Sequence, residues 1–581
     1  SNQMFQRFRD FLRRHDRDAV GSIRLVHGAS WLMDQAVPED TPDASDSDGR
    51  SRDWFEPRKR SLLASYGVGT IDQALMGVLN VKHGFLRLFG LAGKVVIVDE
   101  VHAYDTYMSR ILALLLEWFG ALSVPVILLS ATLPQARRQE LIGAYAPSAS
   151  LPTLPNGTLP PYPLITWVEP GGQVHEQLVP SELGRPVSRG RAKQNTAIEL
   201  RHHWGALHQP EEVVQIVLQR AAFGGCHCII TNTVESAQRT YRAIKEQIAR
   251  DGSRKVRVLL FHARFPVEER QRIEQEVLRL FGKRSLLAPG DPERTDRPER
   301  AILVATQVVE QSLDLDFDEM YTEIAPIDLL LQRSGRLHRH PRTDRRTGPT
   351  PILHLLLPPE GSARFEPTVY EPYVLLRTLA LVANQVGWRL PVDIRQYVES
   401  VYDEQYPLAL PQWAVVAQED LQKEWDTERG KQEQEATRYL IPAPSARRFK
   451  LGLNMKGVFD EEHSDAASYF AAKTRFGDDS VNVILCEGDQ WVDLLTGGKR
   501  PHRDRLRQIY LQGVRLPGWW LDNVEPVGNY SQVEEGPKWM RGVFVLRLTR
   551  GTWEGVTKKG ESIRISVDRE FGVLRERKEV V

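Results

Sequence analysis

Residues Val95 to Asp105 read V-V-I-V-D-E-V-H-A-Y-D. Four apolar β-formers run directly into two acids. A continuous apolar run of this length predicts a strand buried on both faces, as in a parallel sheet. Asp99 and Glu100 then fall at its C-terminal end, where open α/β sheets place their ligands. Two adjacent carboxylates there suit Mg²⁺ and a water better than they suit packing, because unpaired buried charge is costly. The same residues also fit an ordinary acidic strand-to-helix turn, so the choice rests on the rest of the chain.

Working outward, residues 106 to 122 form a strongly apolar helix. V-P-V-I-L-L-S-A-T-L-P then predicts a second buried strand, ending in Ser130-Ala131-Thr132. On the upstream side, Gly67-Val68-Gly69 reads as a tight turn, and Thr70 as the N-cap of a helix carrying Ile71, Leu75, Val78 and Leu79. A hydroxyl and free amides at a helix start suit a phosphate, and equally fit a capped helix with no ligand. Residues 3 to 18 place Met4, Phe5, Phe8, Phe11 and Leu12 at helical spacing, with a basic outer face. Ser22 to His27 is a short strand, so the chain reads as starting inside a domain. Residues 34 to 53 are acidic and Ser- and Pro-bearing, the composition of a solvated loop.

A second alternating unit follows. Strands at Gly225 to Thr231, Val256 to Phe261 and Ala301 to Ala305 are separated by helices at 210–223, 234–250 and 266–281. Their tips carry Asn232, His262-Ala263-Arg264-Phe265 and Thr306-Gln307. Such alternation predicts a parallel sheet with helices on both faces. Residues 367 to 405 look helical, and 418 to 438 form a highly charged helical linker. Beyond 450, short β-like runs and tryptophans at 491, 519, 520, 539 and 553 predict a small β-rich domain with aromatics in its core. The expected division is 1–197, 198–366, 367–449 and 450–581.

Composition narrows the class. The chain has 581 residues, more than one hydrophobic core can serve. Its 76 basic and 76 acidic residues cancel, which excludes a generally basic nucleic-acid binder but leaves room for a basic channel. Three cysteines, Cys226, Cys228 and Cys486, give no disulfide framework, so a reducing cytoplasm is the expected compartment. No apolar run approaches the ~18 residues of a membrane span, and no secretory signal pattern opens the chain.

Five strand-end clusters therefore stand in a fixed order: Asp99-Glu100-Val101-His102, Ser130-Ala131-Thr132, Thr231-Asn232, Thr306-Gln307 through Asp314, and Gln332-Arg333-Ser334-Gly335-Arg336-Leu337-His338-Arg339. The last puts two arginines about one helical turn apart, and two fixed guanidiniums suit a polyphosphate. In this order they resemble motifs II to VI of superfamily 2 helicases. D-E-V-H-A-Y-D, V-G-T-I-D-Q-A-L, F-H-A-R-F and Q-R-S-G-R-L-H-R further resemble Cas3, the helicase–nuclease of type I CRISPR interference. S-N-Q-M-F is similar to the residues just after motif Ia, and the likeness runs through the linker and C-terminal domain.

The resemblance implies an α/β fold of two RecA-like parallel-sheet domains, the first N-terminally truncated, with a helical linker and a small β-rich C-terminal domain. It implies that Asp99 holds the Mg²⁺ of ATP, that Glu100 activates the attacking water, and that Gln332 helps orient it. Arg336 and Arg339 act as arginine fingers, Asp314 touches the ribose, and His102, Ser130 and Thr132 belong to nucleotide binding and coupling. Thr70, Asn232, His262, Arg264, Thr306 and Gln307 lie along a single-stranded DNA track, mostly on phosphates. The implied partners are displaced-strand DNA, the surveillance complex Cascade through its large subunit, and an N-terminal HD nuclease and Walker A portion that needs a divalent transition metal.

The sequence departs from that pattern in lacking the phosphate loop, the Q motif and the HD nuclease portion, all expected upstream of Ser1. No G-x-x-x-x-G-K-[ST] occurs; Gly-Lys pairs such as Gly93-Lys94 and Gly498-Lys499 lack the spacing and the following hydroxyl. The chain is thus expected to be a fragment or one piece of a split protein, part of an ATP-driven 3′-to-5′ translocase and inactive as an ATPase alone. The alternatives are a non-catalytic docking or DNA-binding fragment and another superfamily 2 remodeller.

Overall fold

The computed structural model describes residues 2–15, 23–26, 61–81, 84–152, 162–179, 196–252, 256–287, 290–310, 313–366, 368–403, 406, 408–444, 480–488, 503–521, 524, 530–532, 543–557 and 562–578. The expected 34–53 loop, Trp491 and Trp539 lie outside the described residues. Internal contacts group the chain into two discontinuous units, Ser1–Pro180 with Lys423–Asp478, and Ser181–Gln422 with Asp479–Val581.

In the first unit, α1 (Asn2–His15) lays Phe5, Phe8 and Leu12 against β1 (Ile23–Val26). β1 pairs in parallel with β2 (Tyr66–Gly69). Gly67 to Gly69, expected as a turn, are therefore extended, held by the ladder to Arg24 through Val26. After α2 (Ile71–Leu75) and α3 (Gly84–Leu91) come β3 (Val96–Val98), α4 (Thr106–Ala121), β4 (Val126–Leu128) and α5 (Gln135–Tyr145). The hairpin β5 (Leu164–Val168) and β6 (Val174–Leu178) follows. Asp105 caps α4, its Oδ1 accepting the Met108 amide at 2.7 Å. Ile111, Leu112, Leu115 and Phe119 of α4 are fully buried, each worth about 1.5–3 kcal/mol of transfer free energy.

β3 and β4 are parallel neighbours, but the expected burial of both faces is not met. Val96 and Val98 pack inward, whereas Ile97 is 62% exposed and Ile127 46% exposed. A parallel strand is buried twice only where helices cover both faces, and here the two strands pair with each other alone among the described residues.

The second unit holds a seven-stranded sheet. In chain order it runs β7 (Thr196–Trp204), α6 (Pro210–Ala221), β8 (Gly225–Ile230), α7 (Val234–Asp251), β9 (Arg257–Phe261), α8 (Val267–Phe281), β10 (Arg300–Ala305), β11 (Glu319–Glu323), α9 (Ile327–Ser334), β12 (Ile352–Leu357), α10 (Pro372–Val382), β13 (Gly387–Leu390) and α11 (Ile394–Tyr402); α12 (Gln412–Tyr439) follows and belongs to the first unit from Lys423 on. The strand order is β13-β7-β12-β11-β8-β10-β9. All neighbours are parallel except β13 on β7. β8 and β12 are buried at every position, as the apolar runs demand. The expectation of helix throughout 367–405 is corrected by β13. Gly387 approaches β7 so closely that a Cβ would stand 2.6 Å from the Ile198 carbonyl oxygen; a glycine admits this edge strand, a packing need that helical periodicity does not show.

α12 is not solvated along its whole length. Ala436 is fully buried in the first unit's core, with Tyr439 and Leu440 beside it. The Asn80 amide donates to Tyr439 O at 2.7 Å and the Ile441 amide to Val78 O at 3.0 Å.

The C-terminal part of the second unit comprises β14 (Ser480–Glu487), α13 (Arg503–Leu511), β15 (Gly513–Pro517), β16 (Tyr530–Gln532), β17 (Phe544–Leu548), β18 (Thr552–Val556), β19 (Ser562–Asp568) and β20 (Gly572–Lys578). They form sheets ordered β15-β14-β17-β16 and β18-β19-β20. Trp520 and Trp553 fill their shared core, while Trp519 is exposed. Among the described residues, no helix is long and apolar enough to cross a membrane.

Candidate functional site

The strand ends of the first unit meet as one site. The β3–β4 ladder continues past both strands, with the Leu129 amide on Val98 O at 2.8 Å and the Val101 amide on Leu129 O at 3.2 Å. This brings Asp99 and Glu100 beside Ser130. Asp99 Oδ1 accepts the Glu100 amide at 3.0 Å, and Tyr104 OH reaches Asp99 O at 3.3 Å. Glu100 takes a left-handed backbone, φ 56°, a conformation uncommon for a residue other than glycine. His102 Nδ1 lies 2.9 Å from Ser130 Oγ and 3.5 Å from Glu100 Oε2. Ser130 Oγ donates to Thr132 O at 2.7 Å. Thr132 is buried, and its own hydroxyl has no partner in the structure. Thr70 stands exposed at the N-cap of α2, without a side-chain cap bond.

The Gln332 to Arg339 cluster is only half helical, which corrects the expected one-turn spacing of its arginines. α9 ends at Ser334 with Gly335 as its C-cap. The chain then pairs with the segment before β11: Phe317 N donates to Arg336 O at 2.9 Å and His338 N to Phe317 O at 3.0 Å. Glycine's poor helix propensity and this bridge together end the helix. Arg336 Nη2 donates to Glu310 O at 2.6 Å, and Arg339 Nε to Asp314 Oδ1 at 2.7 Å. Burial works against the Asp314 charge, but Arg339, His340 and Lys283 prevail and hold its pKa below the usual carboxylate value. Gln332, on α9, is half-buried.

Arg333 differs from its neighbours. It is fully buried, bonded to Glu310 Oε1 at 2.7 Å, Glu323 O at 3.1 Å and Tyr370 OH at 3.0 Å. Burial acts against its charge, and Glu310 with its other partners raises its pKa above the ordinary arginine value. It ties β11, α9 and the Glu310 turn into one body.

A cleft of about 500 Å³ gathers other expected residues. Asn232, Arg264 and Gln307 line it, with Thr233, Glu235 and Tyr370. It opens at the N-terminus of α7, capped by Thr233 Oγ1 on the Ser236 amide at 3.1 Å. Gln307 Nε2 bridges Asn232 O at 2.9 Å and Tyr370 OH at 3.1 Å. Asn232 Nδ2 donates to Ile324 O at 2.9 Å, and its buried Oδ1 has no partner. Beneath them Glu323 accepts the Asn232 amide at 2.6 Å and the Ser236 hydroxyl at 2.8 Å. Thr306 is buried beside this group.

His262 lies elsewhere. It is fully buried, its Nε2 3.1 Å from Phe571 O and its Nδ1 3.1 Å from the Arg264 amide. Burial and the nearby Arg264 push its pKa down to about 3. It is spent inside the protein rather than presented on a surface. The sequence alone does not point to Glu235, Glu310, Glu323 or Tyr370; none lies in a recognisable spacing. Only the fold brings Glu235 and Tyr370 to the cleft and sets Glu310 and Glu323 behind it.

Known proteins resemble this chain in sequence and fold. Residues 223–342 match the family model for the C-terminal part of the CRISPR-associated nuclease/helicase Cas3. The Thermus thermophilus CRISPR-associated endonuclease/helicase Cas3 is 33% identical over 650 residues, covering 99% of this chain and 65% of that protein. The crystal structure of T. fusca Cas3 with AMPPNP superposes with a TM-score of 0.77 at 29% identity, covering 99% of this chain and 64% of the other. A chain of a CRISPR RNA-guided surveillance complex in a pre-nicking state gives a TM-score of 0.65 at 27% identity, covering 98% and 70%. This chain thus spans less than two thirds of that Thermus relative, and its two α/β units have the RecA-like helicase fold. Over the length it shares with these proteins, the chain is similar to Cas3 in both sequence and fold.

Proposed function

We propose that this chain is the ATP-driven DNA translocase portion of a Cas3-type effector. The observation that carries the reading is the junction of Asp99, Glu100, His102 and Ser130 at adjacent strand ends. Packing does not need two acids and a shared histidine–serine pair at such an edge.

The carboxylates fit ATP·Mg²⁺. Asp99 is exposed, spends one oxygen on a neighbouring amide and offers hard oxygen ligands, and Mg²⁺ is commonly held by one or two carboxylates together with phosphates and water. The bound ion supplies charge neutralisation at the phosphates. Asp99 is the residue that would hold it. Glu100 orients the attacking water and accepts its proton, and Gln332 helps fix that water. Arg336 and Arg339 supply positive charge for the transition state, Arg339 first exchanging its Asp314 partner; Asp314 then becomes available to the ribose. His102, Ser130 and Thr132 carry the change between the two strand ends. Thr70, Asn232, Arg264, Thr306 and Gln307 hold a single strand by its phosphates and so bind without reading sequence. His262 serves the same track from behind.

The reading extends to the finer properties: 3′-to-5′ movement, action on the strand displaced within a Cascade R-loop in the cytoplasm, and degradation through an HD nuclease portion that uses a divalent transition metal. The solved relatives named for AMPPNP and for a surveillance complex support nucleotide use and docking. The 581 residues carry no Walker-type phosphate loop, so by themselves they turn ATP over slowly. The test is Glu100→Gln in the complete protein. ATPase stimulated by single-stranded DNA should fall about 100-fold or more, as for loss of a general base. Unchanged stimulated turnover removes the reading.

A further inference from the structure

The second unit contains a contact between segments some three hundred residues apart in sequence that the proposed function leaves unused. The β19–β20 turn, Asp568 to Gly572, is set against the loop from His262 to Phe265. Asp568 shapes the turn, its Oδ1 accepting the Glu570 and Phe571 amides at 2.6 and 2.8 Å. Phe571 O accepts from His262 Nε2 at 3.1 Å and from Gln238 Nε2 at 2.8 Å. The Val573 amide donates to Arg264 O at 2.9 Å. Glu570 is pinned by Tyr241 OH at 2.6 Å and Lys245 Nζ at 2.9 Å. The fit has no slack. Gly572 has φ +75°, and a Cβ on it would stand 2.7 Å from Arg264 O and 2.9 Å from His262 Cε1.

His262 is the hub of this contact. The Arg264 amide donates to Nδ1, so the ring is neutral and carries its hydrogen on Nε2. One ring nitrogen thereby holds the turn and the other holds the backbone of Arg264. The Arg264 guanidinium then runs over the Trp520 ring, 4.8 Å from its centroid, to Glu235 in the cleft.

We propose that the β19–β20 turn aims Arg264 at the bound strand, with Phe571 and Gly572 as positioning residues that act through His262. The inference rests on the reading of the cleft as a strand-binding site. A cation on a loop binds a phosphate strongly when the loop is ordered beforehand, because less ordering is left to binding. Displacing the turn keeps the charge of Arg264 and loses its placement.

The test measures binding of a fluorescent single-stranded dT oligomer to the 581-residue chain, by anisotropy across a salt series. The variants are Arg264→Ala, Gly572→Ala, Phe571→Ala and the Arg264→Ala/Gly572→Ala double. Arg264→Ala should weaken binding about tenfold and lower the salt slope by about one phosphate contact. Gly572→Ala should reproduce most of both effects, and the double variant should be no weaker than Arg264→Ala, since the two changes act on one contact. Phe571→Ala keeps the glycine and the carbonyl and removes only the ring, which seats the turn edge-on against Tyr241 and under Arg242; it should shift both quantities the same way to a lesser extent, and it carries the test if Gly572→Ala does not fold. Additive losses overturn the proposal. So do turn variants that melt earlier yet bind with wild-type affinity and slope. A wild-type chain that does not bind the oligomer, or Arg264→Ala binding like wild type, removes the strand-binding reading and the inference with it.

Discussion

His102 Nδ1 lies 2.9 Å from Ser130 Oγ, and this contact joins the two strand ends of the first unit. The serine hydroxyl has one hydrogen, which goes to Thr132 O at 2.7 Å. Ser130 must therefore accept from His102, which fixes the hydrogen on Nδ1. The same nitrogen lies 3.5 Å from Glu100 Oε2. A change in what Glu100 binds can thus be felt at Ser130 and Thr132 through a single ring.

Ser130→Ala removes the acceptor and cuts that link. In the complete protein, ATPase stimulated by DNA should stay within a few-fold of wild type. Strand displacement per ATP should fall roughly tenfold, about 1.4 kcal/mol of coupling. Parallel ATPase and unwinding assays measure the ratio; equal losses in both would mean that the contact serves hydrolysis alone.

The three arginines of Q-R-S-G-R-L-H-R should separate by stability. Arg333 is fully buried with Glu310, and Arg333→Met leaves that carboxylate buried without its partner, a cost of about 3–5 kcal/mol. The Arg339–Asp314 pair is about one third exposed, so Arg339→Ala should cost about 0–1 kcal/mol. Urea denaturation of the chain distinguishes them. In the complete protein the order reverses for function, with Arg339→Ala abolishing stimulated ATPase while the fold stays intact.

Acid should loosen the contact between the C-terminal turn and the His262 loop. His262 has its pKa pushed down to about 3 from the ordinary 6.5. Below pH 6.5 the unfolded chain takes up a proton that the folded one does not. Its contribution is therefore complete above pH 6.5 and lost as pH falls from there toward 3, at up to about 1.4 kcal/mol per pH unit. His338, pushed down to about 4 by burial and the nearby Arg345, acts in the same direction. The melting temperature of the second unit should fall between pH 7 and 5, and His262→Asn should flatten that slope while lowering the plateau. A slope unchanged by His262→Asn would assign the acid sensitivity to other groups.

The sequence made the sites legible where the chemistry is local. Asp99 and Glu100 follow an apolar strand, and Thr306 and Gln307 follow another, so each tip could be read from a single stretch. It failed where partners are distant. Nothing near His262 in the chain foretells Phe571, and nothing near Arg333 foretells Tyr370. Arg336 and Arg339 looked helical because their spacing fits a turn, but the competing bridge to Phe317 comes from another segment. Val95 and Ile97 looked buried because an apolar run does not state how many of its faces are covered.

The end of α12 illustrates the same limit and supplies the last prediction. Its sequence is dominated by charge, yet Ala436 is fully buried among residues of α2 and α4 and their neighbours. Only a small apolar side chain suits that position, while Gln434, two residues earlier, is exposed. Ala436→Asp would bury an uncompensated carboxylate and should destabilise the first unit by about 3–5 kcal/mol. Gln434→Asp adds the same charge to the same helix in water and should change stability by less than about 0.5 kcal/mol. In a thermal melt the transition of the first unit should move for Ala436→Asp alone, while the acid-sensitive transition of the second unit stays in place. If the two variants melt alike, the 436–441 segment is not docked on the first unit's core in solution, and the backbone bonds from Asn80 and Ile441 do not hold there.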